Sequence, residues 1–167
     1  MGTHSIPFVR MGEGVEWSLH CCLVLAWLED EWPVPIGRLA EWFDLPPEYL
    51  KKRLQALVRA GIMTSSRGVG GGFSLARPAA RISLLDVVAA LEGDTELFRC
   101  GEIRQRGING QGRGSEFARP CGIAVAMRRA ELAWRRELAA QTVADLMAVA
   151  PAGSAERTRR RYAALPH

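Results

Sequence analysis

Residues able to hold a metal or take part in redox chemistry are few in this chain and unevenly placed. It has four cysteines and three histidines in 167 residues. Cys21 and Cys22 stand side by side in a solid apolar run, where cysteine behaves as a small buried hydrophobe. Cys100 lies in a glycine-rich stretch, and Cys121 stands where that stretch gives way to a long helical pattern. Glycines around Cys100 let backbone approach a bulky inorganic centre. Two thiolates alone complete neither a tetrahedral zinc site nor an iron–sulfur cluster, each of which takes four protein ligands. His4 and His167 sit at the two ends, which leaves His20 within the folded part. Glu16 precedes His20 by four residues, so on a helix the two share a side, which Leu23 and Trp27 continue. Two readings stay open here. Glu16 and His20 form a hydrogen-bonded pair near a helix start, or they complete a metal site with Cys100 and Cys121.

A second chemistry is suggested by basic residues between 49 and 67. Leu50, Leu54, Leu57 and Val58 recur at helical spacing, and the opposite face carries Glu48, Lys51, Lys52, Gln55 and Arg59. Lys51, Lys52 and Arg59 are candidates for DNA phosphates or base edges, and Tyr49 and Gln55 add hydrogen-bonding groups. Arg67 occupies the tip of a glycine-rich hairpin, as a groove-inserting or phosphate-binding arginine would. The alternative for each cation alone is solvation of a surface helix. Gly68-Val69-Gly70-Gly71-Gly72 lacks the Lys-Ser/Thr pair of a phosphate-cradling loop and leads into a strand, so a hairpin tip is expected.

The elements that must position these groups follow from the pattern. Residues 1–12 lack periodicity and read as a flexible arm. A buried first helix spans about 13–31, apolar on nearly every side from Leu19 to Leu28 and ended by Pro33 and Pro35. A second helix fits Ile36–Phe43, with Leu39, Ala40 and Phe43 inward. Asp44-Leu45-Pro46-Pro47 makes the turn, and the third helix runs from Pro47 to Ala60 with Gly61 at its end. Strands at 62–66 and 73–76 frame the glycine tip. Ser83 caps a fourth helix over 83–91. Helix, turn, helix and hairpin in this order predict a winged helix-turn-helix over residues 13–92, in a mainly α chain with a small β-wing.

Residues 93–120 are glycine- and charge-rich and form a loop too long for mere connection. From Cys121 a long helix to about Ala140 carries Ile123, Met127, Ala130, Trp134 and Leu138 at steps of four, three, four and four. That stripe suits pairing with another helix, so residues 121–150 are expected to dimerise. Residues 151–167, with Arg157, Arg159, Arg160 and Arg161, read as a disordered basic tail.

Composition is that of a globular chain, 48% apolar and 24% charged, with 22 Lys+Arg against 18 Asp+Glu and a net charge of +4. No apolar run is long enough for a membrane span, and the N-terminus lacks a signal pattern. The expectation is a cytoplasmic protein whose cysteines serve as thiols, ligands or switches rather than structural disulfides. No nucleophile–base pairing or dinucleotide fingerprint supports an enzyme.

Leu54, Leu57, Ala60-Gly61, Ser65-Ser66-Arg67-Gly68, Gly71-Gly72-Phe73 and Leu75-Ala76-Arg77 resemble the signature of the IscR/NsrR/RsrR family of winged-helix regulators. Many of its members bind a cluster through three closely spaced cysteines, a pattern this chain lacks. Gly14-Val15-Glu16-Trp17-Ser18-Leu19-His20-Cys21-Cys22 is similar to the opening of the RsrR branch. That resemblance implies a [2Fe–2S] cluster held by Glu16 and His20 of one subunit and Cys100 and Cys121 of the other. It also implies a homodimer on a pseudo-palindromic double-stranded operator, with the redox state of the cluster controlling a repressor. Reduction is then expected to shift Trp17, beside Glu16, and to tilt the first helix. Competing expectations are a nitric-oxide-responsive cluster, or a Cys100–Cys121 disulfide or zinc switch.

Overall fold

The computed structural model describes residues 11–93, 96–112 and 114–166. The expected arm therefore lies almost wholly outside the described residues, as do His4 and His167.

Helix α1 (Glu13–Trp27) is the central beam. Cys21, Cys22 and Leu25 are wholly buried in it, and burial of each such side chain contributes about 1.5–3 kcal/mol for the larger apolar ones. It stops short of the expected Glu31. Leu28 closes it, a short 3-10 turn covers Glu29–Glu31, and the Trp32 indole N–H donates to the Leu25 carbonyl at 2.8 Å. The chain thus turns before the prolines are reached.

Helices α2 (Ile36–Phe43) and α3 (Pro47–Arg59) follow. Leu39 and Ala40 of α2 and Leu50, Leu54 and Leu57 of α3 face the core. Asp44 turns the corner in the left-handed region, φ 50°, a conformation asparagine and aspartate tolerate better than most residues. Pro47 opens α3, where its missing N–H costs nothing. Gly61, φ 70°, turns the chain out of α3. Strands β1 (Met63–Ser66) and β2 (Gly72–Leu75) pair antiparallel, from Met63 opposite Leu75 to Ser66 opposite Gly72. A bridge between Val34 and Phe73 ties the wing to the residues that open α2. Helix α4 (Leu84–Glu92) starts with a capping box between Ser83 and Asp86 and packs on α1 and α3.

The loop after α4 holds three short 3-10 turns, at Ile103–Gln105, Gly107–Gln111 and Gly114–Phe117. Helix α5 (Gly122–Ala140) buries none of its residues. Helix α6 (Val143–Val149) has its own capping box between Thr142 and Asp145.

The C-terminal part packs onto the core, and one expectation about it needs correcting. Val143 is fully buried in the same core as α1 and α3, and its N–H donates to the Ile82 carbonyl. Helix α6 is thus anchored in the winged-helix core through Val143. The described part of the expected disordered tail, residues 151–166, is ordered: Ser154–Ala163 form helix α7, and Tyr162 is 5% exposed. The arginines masked the signal, because Thr158, Tyr162 and Leu165 form a packing stripe one turn apart.

Candidate nucleic-acid interface and metal centre

The leucines of α3 fix its inward face, so its basic residues are presented outward. Lys51 and Gln55 meet Arg67, Ser65 and Ser66 of the wing and Pro35 and Ile36 at the start of α2 around a cleft of about 610 Å³. The Lys51 ammonium lies 4.0 Å from Glu48 in an exposed pair, an arrangement worth little in solvent and readily exchanged for a phosphate. Arg67 is exposed at the wing tip. Of the other expected DNA-binding residues, Lys52 and Arg59 are exposed on α3 outside the cleft lining, and Tyr49 is half-buried beneath the Arg53 guanidinium, 5.1 Å from its ring. Sequence reasoning missed Ser65 and Ser66. Their place on β1, paired with a glycine-led strand, was the available signal.

On α1, Glu16 and His20 both face solvent. No hydrogen bond or ion pair joins them among the described residues, so the hydrogen-bonded alternative lacks support. Trp17, between them, is half-buried. Its indole N–H donates to Glu13 Oε1 at 3.2 Å, and its ring meets Phe43 edge-on, centroids 5.8 Å apart at 67°. The His20 ring lies 6.4 Å from the same Phe43. Both residues thus touch the last residue of α2 before the turn into α3, a link that sequence spacing alone did not reveal.

The cysteines divide as expected. Burial pushes the Cys22 thiol up to about 12, and Cys21 higher still, so neither is a ready thiolate. Cys121 stands at the N-terminus of α5. The backbone N–H groups of Ala124 and Ile123 in the first turn of α5, helped by nearby Arg104, hold its thiol below the ordinary range. Cys100 is exposed and borders a small cleft with Glu96, Phe98, Ala124 and Arg128 against α5. Arg104 holds this region together. It donates to Glu102 and to the Arg119 carbonyl at 3.1 Å, and its guanidinium lies 5.7 Å from the Phe117 ring centroid. Its own pKa is raised by Glu102 above all, and by the two cysteines to a lesser degree, so both sulfurs lie within its electrostatic reach. Among the described residues, no three His, Cys, Asp or Glu side chains converge on one point. The α1 pair and the cysteine pair are therefore not assembled within a single chain.

Residues 11–149 match the model of a protein family, Rrf2, described as an iron-dependent transcriptional regulator. The chain belongs to the Rrf2 family. A Lactococcus lactis relative named as the putative HTH-type transcriptional regulator YffB is 32% identical over 138 residues, 83% of this chain and 86% of that one. Two solved structures share the fold. CymR, the global cysteine regulator of B. subtilis, gives a TM-score of 0.64 at 21% identity, covering 86% of this chain and all of that one. The IscR of T. potens gives 0.63 at 21% identity, over 92% and 94%. This Rrf2 protein is a DNA-binding transcription regulator and not an enzyme. Among its described residues, no helix is long and apolar enough to cross a membrane.

Proposed function

We propose that this Rrf2 regulator acts as a homodimeric repressor on a pseudo-palindromic duplex operator, under control of a [2Fe–2S] cluster shared between two copies of the chain. The observation carrying this reading is the separation of the ligand pairs: Glu16 and His20 lie exposed on α1, Cys100 and Cys121 lie apart from them, and no single chain brings the four together. The donor set suits the group. Cys121 is predisposed to the thiolate form that a cluster requires, Cys100 is accessible, and the Glu16–His20 sequence context resembles the RsrR branch. When bound, the cluster would supply a one-electron change in charge, with a histidine ligand raising its potential above that of an all-cysteine cluster.

A second copy also accounts for α5. Ile123 is 64% exposed and Met127 43%, and Ala130, Trp134 and Leu138 extend their stripe along a helix with no buried residue. Apolar faces of this kind are rarely left open to water. Pairing there would set the distance between two α3 helices, each offering Tyr49, Lys51, Lys52, Gln55 and Arg59, with Arg67 on the wing. Half-sites about one helical turn apart would follow.

Trp17 and His20 supply the coupling. Both rest on Phe43, so a displacement of α1 near its ligands reaches the α2–α3 turn through one ring. The thiol-switch reading is also favoured by one observation, the lowered Cys121 thiol within reach of the same arginine as Cys100. Iron and sulfide counted on oxygen-free protein, with operator binding measured before and after dithionite, test the proposal. Near-stoichiometric iron and redox-dependent binding support it. Iron-free protein whose DNA binding follows a Cys100–Cys121 disulfide replaces it with the thiol switch.

A further inference from the structure

The family match ends at residue 149, before α7, and α7 is bolted to the helix-turn-helix. The Arg38 guanidinium of α2 stacks 4.3 Å from the centre of the Tyr162 ring and donates to the Tyr162 carbonyl at 2.8 Å. Arg159 Nε donates to the Trp27 carbonyl at the end of α1, 2.9 Å away. Arg157 is engaged within the helix start, on the Ala152 carbonyl and Ser154 Oγ. These bonds leave Arg160 and Arg161, both exposed and paired with no carboxylate among the described residues. Glu156 is the one acidic residue of α7.

The place matters as much as the charge. Arg38 stands two residues after Ile36, and Pro35 and Ile36 line the cleft that holds Lys51, Gln55 and Arg67. The end of α7 is thereby fixed to α2, the helix whose first residues border that cleft. A rigid helix presents its cations with less ordering entropy to lose than a loose tail would. Exposed cations held rigidly on a DNA-binding domain act on the phosphate backbone, independent of base sequence.

We propose that α7 is a second DNA-binding element, with Arg160 and Arg161 engaging backbone phosphates that flank the segment read by α3. This rests on the DNA-binding role of the α3–wing face. The test uses full-length protein and a 45-base-pair duplex that the wild type selects from a random pool, together with the same duplex trimmed to its palindromic core. R160Q/R161Q is expected to weaken binding to the long duplex about tenfold at roughly 0.1 M salt, and to flatten the salt dependence by about 0.9 in log–log slope for each phosphate no longer neutralised. Binding to the trimmed duplex stays as in wild type, and R160K/R161K recovers affinity for the long one. Unchanged affinity and slope on the long duplex overturn the inference, as does an equal loss on both duplexes. K51Q and R67Q serve as the separate control. If they weaken binding while R160Q/R161Q does not, α7 alone is misread; if they too have no effect, the α3–wing reading fails with it.

Discussion

Gly72 is the point where the wing leans on the start of the helix-turn-helix, and Gly72→Ala should pry them apart. A Cβ on Gly72 falls 2.3 Å from both the carbonyl carbon and oxygen of Val34 and 2.7 Å from the Pro35 nitrogen, where ordinary contact begins at 3.4 Å. Those neighbours are backbone and cannot rotate aside, so β2 must retreat by about 1 Å. The retreat stretches the two bridge hydrogen bonds, Val34 N–H to the Phe73 carbonyl at 2.9 Å and Phe73 N–H to the Val34 carbonyl at 2.8 Å. Each bond contributes about 0.5–1.5 kcal/mol, and groups left unsatisfied add about 1–3 kcal/mol. Val34 and Phe73 are 0% and 6% exposed, so water cannot readily replace them. The expected cost is about 3 kcal/mol, or roughly 6–12 °C in melting temperature for a chain of this size. Gly70→Ala is the control: it has φ 76° and nothing within 4 Å of its Cβ, so it carries backbone strain of about 1–2 kcal/mol alone. Thermal melts of both, followed by operator titration below the transition, measure the difference. If Gly72→Ala melts no lower than Gly70→Ala and binds DNA like wild type, the reasoning about wing docking is refuted.

Three other outcomes follow from the same structure. Tyr162→Ala removes a buried ring and its stack on Arg38; a loss of about 3 kcal/mol is expected in urea denaturation, whereas a dispensable tail would show none. In iron-free protein at neutral pH, iodoacetamide should modify Cys121 well before Cys21 or Cys22, because burial holds the Cys22 thiol near 12 while helix-end N–H groups favour the Cys121 thiolate. Peptide mapping reads this directly, and early labelling of Cys22 in folded protein would contradict it. Phe43→Ala should leave iron content unchanged but narrow the difference between oxidised and reduced operator affinity, in whichever direction it lies, since it removes the ring that Trp17 and His20 share. An unaltered difference would rule out that route.

The winged helix was legible because each part carried its own physical mark. Leucines at α3 spacing, prolines at its start, Gly61 at its end and glycines at the hairpin agreed with one another. The Ser83 and Asp86 capping box could be read three residues apart. What escaped was long-range. A stripe of Thr158, Tyr162 and Leu165 among four arginines averages to a polar segment, and only the partner residue Arg38, over 120 positions earlier, shows what it packs on. Spacing placed Glu16 and His20 on one side of the helix with Leu23 and Trp27 but did not say whether that side is buried. Both side chains are exposed because α1 meets the core through Val15, Ser18, Cys22 and Leu25 instead. Within the loop, Arg104 supplies an anchor that composition hid, since glycine-rich segments give no periodicity to reveal a link from Glu102 to Arg119.

The proposed shared site draws Glu16 and His20 from one copy and Cys100 and Cys121 from the other. Co-expression of a Glu16→Ala/His20→Ala chain with a Cys100→Ala/Cys121→Ala chain, each with its own affinity tag, tests it most directly. Mixed pairs isolated on both tags without oxygen should hold one cluster per dimer, half the wild-type iron and sulfide, while each variant alone holds none. Iron-free mixed pairs, formed from folded chains, would contradict the shared site.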